Sequence, residues 1–305
     1  MGWDKRGFTT TMVDWQPGGG LKVLDYGKAN AGRLFVHSTD GTDAAGYGYM
    51  PQKPVASLDY AISNLCSDTD PDIVYLMPGH AETLATAASI VLDVADVRII
   101  GIGTGTNRPT FTIEGVVGTD IDFDAANVTM ENIKFLNSTD GATGPLDINA
   151  AYCGVKDCFF LDEGADNTVD WIVIDANGDY FHCVDCWNEG TATPGNDSFI
   201  TMAAATGVTI KGLRSFGDFA AGNIEMTAAA LRCYIGYCRL ENLNAIDVNI
   251  EGFANATGCV EWNCMRNATD TQVTWINTTG DLGLFENYGV NDDAESGLLA
   301  GTPSA

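Results

Sequence analysis

Along residues 128–135, Val-Thr-Met-Glu-Asn-Ile-Lys-Phe, apolar and polar positions alternate, pause at Asn132 and resume. Val128 and Met130 share one face of a short strand, and Ile133 and Phe135 carry that face on beyond the Asn. Asn enters the left-handed backbone region at little cost, so the pattern predicts strand, one-residue corner, strand.

The same shape recurs roughly every 25 residues, with Ile99, Val155, Cys183, Ile210, Ile235, Glu261 and Phe285 as the equivalents of Met130. The corner then falls on Gly101, Asn132, Asp157, Asp185, Gly212, Tyr237, Asn263 and Asn287. All but Tyr237 tolerate positive φ, and Gly236 beside it suggests a local shift of one. The residue after each corner forms an expected interior ladder: Ile102, Ile133, Cys158, Cys186, Leu213, Cys238, Cys264 and Tyr288. A second strand precedes each motif, at 90–92, 121–123, 146–148, 172–174, 200–202, 224–226, 246–250 and 273–275. Short strands at a fixed period, with no sustained helical pattern, predict an all-β solenoid of parallel strands with about eight to nine coils.

Four segments follow. Residues 1–32, with Lys5, Arg6, Lys22 and a Gly18–Gly20 run, read as an extended attachment arm; 33–88 as an N-terminal cap; 89–290 as the solenoid; 291–305 as a tail. Within the cap, residues 54–65 carry an apolar stripe at helical spacing (Val55, Leu58, Ala61, Ile62, Leu65) behind a Pro, and such a helix suits the covering of an open first rung. Residues 73–77 form the first strand of the stack.

Composition adds to this picture. The formal net charge is −26, from 41 acidic and 15 basic residues, a surface that repels nucleic acid and anionic membrane. The nine cysteines track the repeat, which points to buried free thiols; only Cys183 and Cys186 have metal-type CxxC spacing. No apolar leader core and no run long enough to cross a bilayer is visible, so the expectation is synthesis in a cytoplasm.

The order of elements resembles right-handed, single-stranded parallel β-helix proteins of the pectate-lyase-like superfamily: a Gly/Asp loop, a helix of the ASLDYAI kind, a strand ending IVYLMPGHAET, then coils with a corner. More narrowly, Tyr75-Leu-Met-Pro-Gly-His-Ala-Glu-Thr83 and Gly283-Leu-Phe-Glu-Asn287 resemble virion-associated β-helix proteins of tailed phages. The similarity covers about residues 33–290. It implies a non-enzymatic virion protein made in a host cytoplasm, a capsid decoration or fibre or spike element. Its partners would be other virion proteins, further copies of itself in a homotrimer, and a host-surface glycan.

Polysaccharide lyases and hydrolases share that superfamily, so an enzyme or a glycan-binding adhesin is the alternative. Outward positions of the pre-corner coil offer Asp122, Asp124, Asp147, Asp175, Glu225 and Asp247, and a Ca²⁺ site would draw on Asp122, Asp124 and Asp147. Lys134, Lys156, Lys211, Arg214 and Arg239 lie on or beside the motifs. The paired acid and base signatures of the family's lyases and polygalacturonases are missing, and His37, His80 and His182 read as structural. Trp187 and Trp262 are expected outside, Trp171 and Trp275 beside interior positions.

Overall fold

The computed structural model describes residues 32–290 apart from 68–70, 87–88, 115–120, 193, 245–247, 268–275 and 279–280, together with the strands Met12–Trp15, Leu21–Leu24 and Gly297–Leu299. It is an all-β parallel solenoid of about 8 turns. Each full turn contributes one strand to each of three sheets. The first runs from Gly32–Val36 to Asp281–Phe285, the second from Ala81–Leu84 to Asn287–Val290, and the third from Ile90–Val91 to Ile276–Thr278. Gly297–Leu299 folds back antiparallel on Asn287–Val290 and pairs its open edge. The segment expected to be an extended arm contains an antiparallel pair, Met12–Trp15 with Leu21–Leu24; the rest of residues 1–31 lies outside the described residues.

The stack begins earlier than the sequence suggests, because Gly32–Val36 already pairs in parallel with Asp72–Leu76. The helix is shorter than the expected 54–65, covering Leu58–Leu65. Asp43 accepts the amides of Ala56 (2.7 Å) and Ser57 (3.1 Å), and Ser57 caps Tyr60. Val55 is held in a parallel bridge to Val36, which keeps the chain extended up to that cap. Leu58, Ala61 and Ile62 are buried, and the helix lies against Gly32–Val36 and Ile90–Val91. Among the described residues no helix is long and apolar enough to cross a membrane.

The predicted corner holds at Asn132, Asp157, Asp185 and Gly212, with φ of 59°, 52°, 53° and 68°, and Tyr237 takes it too at 58°. Gly101 does not. Its backbone stays extended into the strand Val97–Gly101, and glycine is required there because a Cβ would lie 2.2 Å from the carbonyl oxygen of Asn132. Asn132 Nδ2 in turn donates to the Gly101 (2.7 Å) and Gly103 (3.0 Å) carbonyls. The chain loops out from Ile102, which is 38% exposed and no part of the ladder. Buried Pro109 sits below Ile133 instead, its carbonyl taking the Lys134 amide.

The ladder continues through Ile133, Cys158, Cys186, Leu213 and Cys238, all buried. Beyond Cys238 the expected register is wrong by one residue. Ile235 pairs with Val260 and Val260 with Leu284, not with Glu261 and Phe285. Trp262 (φ 57°) and Glu286 (φ 48°) make the corner, while Asn263 and Asn287 lie inside at 0% exposure and Cys264 lies outside. The two amides explain the preference. Asn263 Oδ1 accepts the Cys238 amide (2.9 Å), Asn263 Nδ2 donates to Asn287 Oδ1 (3.0 Å), and Asn287 Nδ2 reaches the Val260 carbonyl (2.8 Å). Each stacked Asn thus satisfies backbone groups of the neighbouring coil, which offsets two non-glycine residues at positive φ.

A second left-handed column closes the other end of the first sheet, at Asp96, Asn127, Tyr152, Tyr180, Gly207 and Arg232. Its members differ too much in side chain to announce a turn. Tyr152 and Tyr180 stack outside at 4.9 Å, and Gly207 leaves room for the Tyr180 ring.

All nine cysteines are free, and six of them, Cys153, Cys158, Cys183, Cys186, Cys233 and Cys238, are buried. Burial pushes the Cys238 thiol up to about 12 and those of Cys153 and Cys233 to about 11, so they stay neutral. Along the second sheet the interior is a stack of rings, Phe111–Phe135 at 6.0 Å and Phe135–Phe160 at 5.0 Å. Beside it is a polar knot. Asp162, 4% exposed, accepts Asn137 Nδ2 (3.1 Å), Asn196 Nδ2 (3.0 Å) and the Thr168 amide (3.2 Å). Burial outweighs these donors and raises its carboxyl to about 6.

Candidate functional site

Two outward faces carry the charged and aromatic side chains that could recognise something. On the third sheet, strand pairing stacks Asp122 on Asp147, then Val173, Thr201, Glu225 and Glu251. The expected row of acids is therefore interrupted by an apolar and a hydroxyl residue. Asp124 lies one column over, accepting Asn149 Nδ2 at 3.0 Å, and Asp175 is exposed in the turn after its strand. Asp247 and Trp275 lie outside the described residues. Asp122, Asp124 and Asp147 do not converge as three ligands.

A different trio does. Carboxylate oxygens of Asp170, Asp197 and Glu225 lie within 4.8 Å of one another. A register shift between the strands Ala142–Ile148 and Thr168–Ile174 breaks the regular alternation just before Ile172, and it brings Asp170 to the flank of the Thr201–Glu225 column. Thr201 Oγ1 donates to Asp170 Oδ1 (2.6 Å) and Ser198 Oγ to Glu225 Oε2 (3.2 Å). Burial, with Asp197 alongside, holds both carboxyls above their ordinary values. Such a group could accept a hard cation or keep a proton for transfer. Period-2 reading passed over Asp170 because a bulge moves a side chain to a face that alternation does not assign it.

The second sheet has the opposite character. Its corner residue is followed by one side chain in and one out, which produces two outward columns. One runs Lys134, Phe159, Trp187, Arg214, Arg239 and Cys264; the next Leu136, Leu161, Glu189, Phe216, Glu241 and Arg266. Trp187 is 47% exposed and meets Phe159 edge to face at 5.6 Å. The Arg214 guanidinium lies over its ring at 5.8 Å, a cation–π contact. Arg266 Nη1 pairs with Glu241 Oε1 at 2.9 Å. Trp187, Arg214, Phe216, Arg239 and Glu241 wall a cleft of about 250 Å³, floored by Asn188 and Ser215, which are hydrogen-bonded at 3.1 Å.

Of the other basic candidates, Lys156 pairs with Glu131 (3.4 Å), which also takes Arg98 (2.6 Å) on the first sheet. Lys211 lies over the Tyr237 ring at 5.6 Å. Trp262 is exposed and stacked on Tyr237 at 6.4 Å, and Trp171 is fully interior. The histidines are built into the structure. His80 is buried between the Ser38 amide and Glu82, His37 accepts the Asp40 amide, and His182 covers Gly154, with burial lowering its pKa. No family model, curated protein or solved structure matches the chain.

Proposed function

We propose that this chain is a non-enzymatic structural protein of a tailed-phage virion, a capsid decoration or a fibre or spike element, that presents the second sheet as an adhesive face. The observation that carries the reading is the collection of Trp187, Phe159, Arg214 and Arg239 on one face of a chain whose formal net charge is −26. Acids elsewhere keep such rods apart in solution, and a local patch rich in Trp, Phe and Arg has the composition of a recognition surface. The sequence resemblance supports the virion setting and a right-handed, pectate-lyase-like solenoid whose first rung the helix Leu58–Leu65 covers. Residues 1–32 are the attachment element to other virion proteins, and a homotrimer is the assembly.

Purified particles test this directly. The full chain is expected in them by quantitative mass spectrometry, and deletion of residues 1–32 is expected to cut its copy number at least about ten-fold, the loss of ~1.4 kcal/mol of attachment. Particles free of the wild-type chain would sink the reading; unchanged incorporation of the truncated chain would remove the arm's role.

A second reading, a polysaccharide lyase or hydrolase, rests on the convergence of Asp170, Asp197 and Glu225, where burial holds the Asp170 and Glu225 carboxyls above their ordinary values, the direction a general acid requires. It requires wild-type turnover of an acidic polysaccharide that falls about 100-fold or more in Asp170→Asn. The first reading expects no turnover from the wild type at all.

A further inference from the structure

Arg214 and Arg239 are register partners on successive coils, so their side chains leave the sheet ~4.8 Å apart. Like charges stacked at that spacing repel one another. Among the described residues neither guanidinium has a carboxylate partner, and Glu241, which lines the same cleft, is engaged by Arg266. On a chain with 41 acidic residues to 15 basic, two adjacent cations left without an acid mark a place where the missing anion comes from outside. The exposed indole of Trp187 forms the wall beside them, and the cleft they share has a volume of about 250 Å³.

From this geometry we infer that the cleft binds an acidic sugar. The oxyanion of the sugar, a carboxylate or a sulfate ester, seats between Arg214 and Arg239, and the apolar face of its ring lies against the part of the Trp187 indole that Arg214 leaves exposed. A guanidinium pair offers the forked donors that planar oxyanions accept, and an indole offers a flat apolar surface to the C–H face of a pyranose. A neutral glycan would leave both cations uncompensated. The net charge of −26 carried by the chain as a whole repels a densely charged polymer, so the site selects a terminal or isolated acidic residue over a continuous polyanion. The inference rests on the adhesive-face reading and names its ligand class.

Calorimetric or NMR titration of the full chain tests it, with methyl β-glucuronide and sialyllactose as carboxylate probes, galactose 6-sulfate as the sulfate probe and methyl β-glucoside as the neutral control. Charged probes are expected to bind about ten-fold or more tighter than the glucoside, and the better of the two classes identifies the oxyanion. Arg214→Gln/Arg239→Gln is expected to lose that ten-fold, Trp187→Ala about five-fold or more, and raising the salt should weaken only the charged probes. All three positions are outward, and far-UV circular dichroism should be unchanged. Equal binding of charged and neutral probes, or no binding of any, overturns the site. So does a drop in oligomer mass by light scattering in Arg214→Glu/Arg239→Glu without sugar binding by the wild type, which would make this face a protein interface. Absence of sugar binding by a wild-type chain that particles do contain overturns the cleft alone, whereas sugar binding by a chain that particles lack overturns the virion reading alone.

Discussion

Phe160→Ala is expected to destabilise the protein by about 3–5 kcal/mol, read as a shift in denaturant midpoint at unchanged slope. Phe160 is fully buried, stacked on Phe135 at 5.0 Å and in edge contact with Trp171 (5.4 Å) and Phe199 (5.1 Å). No neighbouring coil can collapse into the space, because each is held at the strand spacing by parallel pairing on both sides. The residue stacked beyond it is Asn188, itself tied to Ser215, so the hole cannot be filled by a sliding ring. The adjacent outward Phe159→Ala serves as the control and should cost less than about 1.5 kcal/mol, since it leaves no cavity. Equal effects of the two substitutions would show that the ring column is not the core of this region.

The second large effect is on the pH dependence of stability, through Asp162. Its carboxyl lies at about 6 in the folded chain against an ordinary 3.8, with burial as the cause. A raised carboxyl binds its proton more tightly in the folded state, so this group adds stability as pH falls through 6 and stops adding below 3.8. Between pH 7.5 and pH 5 the gain is about 1.4 kcal/mol. Asp162→Asn abolishes that titration while keeping the shape. The amide can be accommodated because Asn196, whose Oδ1 has no partner, can turn over to accept from it. Midpoints of wild type and Asp162→Asn at the two pH values should differ by this amount in their pH response. Parallel responses would mean that the Asp162 charge is relieved by water or by movement of Asn137 and Asn196. Other carboxylates on the acidic surface contribute to the pH response of both proteins alike and cancel in the comparison.

Much of this architecture is visible without coordinates. The strand–corner–strand motif placed the corners correctly through the middle of the stack, as at Asn132–Ile133, Asp157–Cys158 and Asp185–Cys186. The inference failed at both ends of the stack for different reasons. At Gly101 the glycine serves the close passage of the Asn132 carbonyl, and sequence cannot distinguish a glycine needed for space from one needed for φ. At Asn263 and Asn287 a residue type suited to corners is used inside, where its amide bonds to the next coil. The Cys259/Cys264 spacing reinforced the error by repeating that of Cys153/Cys158 and Cys233/Cys238.

The candidate sites were less legible than the fold. Trp187, Arg214 and Arg239 stood out singly as exposed aromatic and basic candidates, but their convergence depends on a strand register that links residues about 25 positions apart. Asp170, Asp197 and Glu225 come together through a local shift in pairing that no periodicity records.

The amino-acid sequence alone determined that this chain coils into a parallel stack, since a repeated alternation with small or polar breaks leaves the apolar face no other way to be covered. It also determined the acidic exterior and the thiol-lined interior. Only the tertiary structure decided the register of the last coils and the cleft partners. A strand's side-chain period is two residues, so a slip of one position exchanges inside for outside at almost no cost in local pattern. Backbone bonds between neighbouring coils are what remove that ambiguity.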